Sequence, residues 1–231
     1  MVSPLTDTVV GHLGPVPITR AVAVTWALML LLAGGSAWLT RRLSLSPSRT
    51  QCLLELLVET LDGHIRDTMR VAPAPYRALV GTLFLFILVA NLSTLLPGVE
   101  PPTAHLETDT ALALVVFVAG IVHGIRTRGP LGYLKSFAEP SWLLMPLNLV
   151  EQITRTVSMI VRLFGNVMSG VFVVGLVLSF AGLLVPIPFM ALDLITGVVQ
   201  AYIFSVLTLV FLGAAVGDPA DPSPTKDVSH E

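Results

Sequence analysis

The sequence predicts an all-α, polytopic membrane protein with about five crossings and one interfacial amphipathic helix. Three observations predict it. Of 231 residues, 54% are hydrophobic and only 12% charged, with a mean hydropathy of +0.82, outside the usual soluble range. Apolar runs of about 20 residues, the length that crosses a bilayer, follow one another through short connections. Lys and Arg gather at alternate ends of these runs, as the positive-inside rule requires.

The opening stretch, MVSPLTDTVVGHLGPVPITR, has prolines, glycines and short apolar patches and reads as a surface or interfacial segment. It lacks a basic n-region and a cleavage site, so no cleaved signal peptide is expected. Residues 20–40 supply the first span, which ends at Arg41 and Arg42. That end is therefore cytoplasmic and the N-terminus lies outside. Residues 48–70 place Leu53, Leu54, Leu57, Val58 and Leu61 at helical spacing among Glu55, Glu59, Asp62, Arg66 and Asp67. This is the pattern of an interfacial helix, with Ser48 as its cap and Pro73 and Pro75 ending it.

Residues 77–97 form the second span, with Asn91 near its far end; the loop beyond carries Glu100, Glu107 and Asp109 without Lys or Arg and belongs outside. Residues 110–125 cross back to Arg126, Arg128 and Lys135. Residues 142–184 then keep helical periodicity over roughly twice the length of a perpendicular crossing, so this helix must tilt or bend. After a turn at VPIP, residues 189–216 return as a second long helix, and the two form a hairpin. Residues 1–217 thus read as a single membrane domain. The Pro-rich, charged residues 218–231 read as a mobile cytoplasmic tail.

Within the first long helix stands Arg162. An arginine at the centre of a span costs roughly 2.5 to 3.5 kcal/mol on insertion scales, so it needs a partner, water or a task. At about 100° per residue, Asn148, Glu151, Arg155, Ser158, Arg162, Asn166 and Ser169 project within about 40° of one line. The second long helix places Asp193, Thr196 and Gln200 on one face. The plainest alternative for Arg162 is an ion pair with Asp193 or Glu151 inside the chain. Arg155 and Glu151 also suit a solvated helix end, while Asn91 and Asn148 suit helix packing or capping.

Other chemistry finds little support. Cys52 is the only cysteine, and the five histidines make no metal-ligand pair at helical spacing. No phosphate cradle, nucleophile elbow or carboxylate dyad is present. The sequence therefore implies no cofactor, no metal site and no catalytic residue, and a net charge of -2 offers nothing to nucleic acid.

At RLFGNVMSG the chain resembles subunit a of the membrane sector of rotary F-type ATP synthases, of bacterial type. GPVPIT, NLSTLLPG, PPTAHLETDTALAL and VVQAYIFSVLTLVFL extend the resemblance over most of the chain. It implies a non-catalytic stator subunit in a bacterial inner membrane, with a ring of c subunits, peripheral-stalk b subunits, the rest of the complex and the lipid bilayer as partners. It implies that Arg162 meets the ion-binding carboxylate of each passing c subunit, that two aqueous half-channels flank it, and that the ion is a proton. Gln200 and Asn166 match polar positions near the arginine. Asp193 stands where relatives often carry a histidine or glutamate of the outer half-channel. The chain departs from the pattern at Val171, where many relatives carry Glu or His. A sodium-translocating complex, a self-contained secondary transporter and a structural scaffold are the alternatives.

Overall fold

The computed structural model describes residues 9–13, 16–41, 49–95, 99, 101–137, 145–182 and 185–217. The tail 218–231, the Ser48 cap and the ends of the expected spans at 96–97, 142–144 and 183–184 lie outside the described residues. Helices dominate, and five of them are long and apolar enough to cross a membrane. Part of the expected interfacial N-terminal segment is a short antiparallel hairpin, β1 (Val9–Leu13) and β2 (Val16–Thr19), paired at Gly11 with Ile18 and Leu13 with Val16.

β2 runs straight into α1 (Arg20–Thr40), which buries only Ala21 and Leu28 and leaves Trp26, Leu30, Leu31 and Trp38 exposed. So apolar an exterior belongs in lipid. α2 (Arg49–Met69) is the expected amphipathic helix and is not among the spanning helices. Its inward residues Ile65 and Met69 pack with Tyr76, Val80, Leu209 and Leu212, while Leu53 and Leu56 stay exposed. His64 reaches the Tyr202 hydroxyl at 3.0 Å, a second tie to the bundle.

α3 (Ala74–Leu92) begins before the expected residue 77, because the prolines that end α2 also open α3. Proline lacks only an N–H that a first helical turn leaves unpaired. The same rule corrects the VPIP turn: α6 (Pro186–Val216) starts inside it, with its prolines in the first turn. A 3-10 turn at Ser93–Leu95 ends α3, and a second at Pro102–Ala104 packs against α1, α3, α4 and α5.

The third span is the largest correction. Residues 110–125 were expected, whereas α4 runs Leu106–Phe137. The acidic Glu107 and Asp109, assigned by charge to a loop, form its first turn, where the helix dipole favours acids. At the other end Arg126 marks where apolar character stops, which does not stop a helix. The break comes at Gly129, with φ 73° and ψ 165°, followed by Pro130 at the start of a second helical segment. Beside it, Arg128 donates through Nε to the Val216 carbonyl at 2.8 Å and so satisfies a terminal acceptor of α6.

α5 (Met145–Ala181) has 37 residues, about 55 Å of helix against a hydrocarbon core of about 30 Å. α6 lies at the centre, packed against α2, α3, α4 and α5. Its Ala201, Phe204 and Phe211 join Phe86, Ile87 and Ala90 of α3, Val116 of α4 and Met159 and Leu163 of α5 in one core.

One ion pair ties the interfacial helix to this bundle. Arg77 donates from Nε to Oδ1 of Asp62 at 2.6 Å and from its Nη2 to Oδ2. That fork holds the Asp62 carboxyl below its ordinary value, outweighing burial, which pushes it up. A depressed carboxyl stabilises the fold above its unfolded pKa of about 3.9 and loses that contribution as pH falls through the lower folded value. Asp62→Asn should cost on the order of 1 kcal/mol at neutral pH. Thermal unfolding in detergent should show the gap between the two proteins closing on acidification below the ordinary carboxylate range.

Candidate functional site

α5 turns one face to α4 and α6 and leaves the flanking polar face open. Met159, Leu163 and Val167 are buried, whereas Glu151, Arg155, Ser158, Arg162 and Ser169 are exposed on the polar stripe. Val157, Val161 and Phe172 flank them as exposed apolar residues. Arg162 thus sits on an apolar, outward surface of a spanning helix.

Arg162 borders an open-sided cavity of about 660 Å3, lined also by Glu151, Thr154, Arg155 and Ser158 of α5 and by Leu207, Val210 and Phe211 of α6. Arg155 donates to the Glu151 carboxylate one turn away. A second cavity, of about 190 Å3, shares Glu151, Arg155 and Phe211 and extends to Asn148, Gln152, Tyr133 and Ser136. Both lie on the N-terminal side of Arg162 along α5.

A third cavity lies on the other side. Gly170, Val171, Val174 and Gly175 of α5 line about 220 Å3 with Asp193 and Met190 of α6 and with Thr94 and Leu95. Gly170 is about 12 Å further along α5 than Arg162. A Cβ at Gly170 would run into the Asp193 carboxylate of α6. Only a glycine lets that carboxylate lie against the helix backbone.

The polar residues of α6 separate by depth. Asp193 and Thr196 are half-buried, and the Thr196 hydroxyl donates to the Asp193 carbonyl at 2.9 Å. Gln200 is only 6% exposed. Asn91 is buried between helices, donating from Nδ2 to the Gly197 carbonyl at 2.9 Å and accepting from the Thr103 hydroxyl at 3.0 Å. Asn166 is half-buried, with its Nδ2 sealed from solvent and unpartnered.

The structure therefore brings Glu151, Arg155, Ser158 and Arg162 to one cavity, with Asn148 next door, and Asp193 to another. Among the described residues no hydrogen bond joins Arg162 to Gln200 or Asn166. The expected alternative of an in-chain counter-ion fails as well. Glu151 is taken by Arg155, Asp193 lies in the far cavity, and no acid among the described residues pairs with Arg162. Gly170 and Thr94 escaped the sequence reading, since neither a glycine nor a threonine near a span end signals a lining position without the facing helix.

The family model described as ATP synthase A chain matches residues 22–213. The chain belongs to this family. Its ATP synthase relatives include a subunit a 2 from Bradyrhizobium sp., 54% identical over 94% of this chain and 98% of its own length. A subunit a 1 from Prosthecochloris aestuarii is 45% identical over 90% and 95%, and a subunit a from Albidiferax ferrireducens is 45% identical over 91% and 93%. The matched residues take in most of α1, all of α2 to α5, most of α6 and every side chain named above at the cavities. This is an integral membrane protein of the ATP synthase A chain family.

The Gly170 contact gives a direct test. In Gly170→Ala the carboxylate of Asp193 must swing away, a repacking of roughly 1 kcal/mol because only a side-chain end moves. Adding Asp193→Ala should recover most of that loss. Thermal unfolding of the two single variants and the double variant measures the coupling.

Proposed function

We propose that this chain is the stator ion-channel subunit a of a rotary ATP synthase, serving a ring of c subunits with two aqueous half-channels. The observation that carries the reading is Arg162: a permanent charge on the open face of α5, unpaired within the described chain, with cavities on both sides of it along the helix. A cation so placed has its counter-charge elsewhere, and a carboxylate on a passing neighbour suits it.

The chemistry is electrostatic. A guanidinium keeps its charge at any accessible pH and presents a planar fork to a carboxylate. It favours the bare anion over the ion-loaded form, so each c-subunit site empties on approach. The same charge bars ions from passing straight between the half-channels. The cavity of Glu151, Arg155 and Ser158 belongs to the cytoplasmic half-channel. The cavity of Asp193 belongs to the outer one, with Asp193 as a relay. Gln200 and Asn166 stiffen the surroundings of the arginine.

Orientation follows from charge. Arg41, Arg126, Arg128 and Lys135 support an orientation with the N-terminal end of α5 on the cytoplasmic side and the N-terminus outside. The membrane is a bacterial inner membrane, the ion is a proton or, as the alternative, sodium, and peripheral-stalk b subunits and the rest of the complex complete the assembly. Nucleotide chemistry takes place on other subunits.

Arg162→Gln should bring ATP-driven ion pumping in vesicles to background while the complex still assembles, as blue-native gels would show; normal coupled pumping in an assembled complex refutes the proposal. Asp193→Asn should slow pumping roughly tenfold, equivalent to about 1.4 kcal/mol on the access barrier, with assembly intact.

A further inference from the structure

Asp109 is 0% exposed, and neither of its carboxylate oxygens has a hydrogen-bond partner. It lies within the apolar span Leu106–Ser136, on a buried stripe that continues through Ala113 and Val116. The ordinary account of an acid in a first helical turn is a cap. Here the Thr108 and Asp109 N–H groups go to the His105 carbonyl, and the carboxylate receives none. No ion pair among the described residues includes Asp109 either. A bare, unpartnered carboxylate in such a place costs too much to persist, so the group holds a proton or a cation.

A second observation lies on the facing helix. Apart from the two oxygens of Asp109, the sealed side-chain atom without a partner among the described residues is Nδ2 of Asn166. α4 and α5 pack together and run antiparallel, since Tyr133 and Ser136 near the end of α4 share a cavity with Asn148 and Glu151 near the start of α5. Val116 of α4 and Leu163 of α5 belong to one buried core. Asp109 precedes Val116 along α4 and Asn166 follows Leu163 along α5, which in an antiparallel pair is the same direction. The turn Pro102–Ala104 packs against α3, α4 and α5, and its fully buried Thr103 bonds to Asn91. Thr94, one turn past Asn91, lines the Asp193 cavity.

We propose that Asp109 is a station for the transported ion, a proton or a monovalent cation, on the outer side of Arg162. The inference rests on the half-channel reading above and assigns to α4 the carboxylate that Val171 does not supply on α5. Loaded, Asp109 is neutral and tolerates its surroundings. The sealed, unpartnered Nδ2 of Asn166 lies on the helix that packs against α4. The titratable groups on the elements around it are His105 and Glu107 beside it, Glu151, Arg155 and Arg162 on α5, and Asp193 and Tyr202 on α6.

The test uses the assembled complex in liposomes and measures ATP synthesis against the proton or sodium concentration on the outer face. In Asp109→Asn the half-saturating concentration should rise about tenfold or more, with less change in the maximal rate. Asp109→Glu should stay within about threefold of wild type. A merely structural role lowers the amount of active complex and leaves half-saturation alone. Unchanged half-saturation in Asp109→Asn overturns the proposal. Coupled synthesis by Arg162→Gln under the same conditions overturns the broader reading instead. If Asp109→Asn does not assemble, dicyclohexylcarbodiimide treatment of the wild-type complex decides: an adduct on Asp109, suppressed by raised pH or sodium on the outer side, supports the station, and its absence overturns it.

Discussion

Everything in this fold depends on the burial of α6 among α2, α3, α4 and α5. In a bilayer, apolar area alone does not draw helices together, because lipid is as apolar as leucine, so close backbone approach and interhelical hydrogen bonds must do it. α6 uses both. Asn91 of α3 grips its backbone at Gly197, Arg128 satisfies the carbonyl of Val216, and Asp193 lies against Gly170. The core of Ala201, Phe204 and Phe211 then fills the space those contacts define.

The central position of α6 determines what is left for α5. One side of α5 is committed to the core through Met159, Leu163 and Val167, and the other side has no partner among the described residues. Arg162 belongs to that other side. Among the described residues its charge has no ion-pair or hydrogen-bond partner in the chain's own bundle. The cavities before and after it lie between α5 and α6, the second of them at the Gly170 contact itself.

Buried polar groups follow a strict rule here. Hydroxyls that cannot reach a neighbouring helix return to their own, as Ser205 does to the Ala201 carbonyl and Thr208 to that of Phe204. Asn91 and Thr103 satisfy one another. Against that background, Asp109 and the amide nitrogen of Asn166 are exceptions, and exceptions in a membrane interior tend to mark function.

Much of this was legible in the sequence. Hydrophobic run length identified all five spanning helices, and the helical spacing of polar residues identified the stripe on α5, because both are properties of a single helix. Helix ends were less legible. Proline was read as a stop where it also opens α3 and α6, and the charge of Arg126 was read as a stop where α4 continues to its break at Gly129. Asp109 shows the deeper limit: by composition it belonged to an acidic outer loop, and in the fold it is sealed. The sequence by itself determined which residues share a face, since a helix of known period leaves no choice. Only the tertiary structure decided which faces meet. That is why the separation of Arg162 from Asp193, the contact at Gly170 and the isolation of Asp109 appear only once the helices are packed.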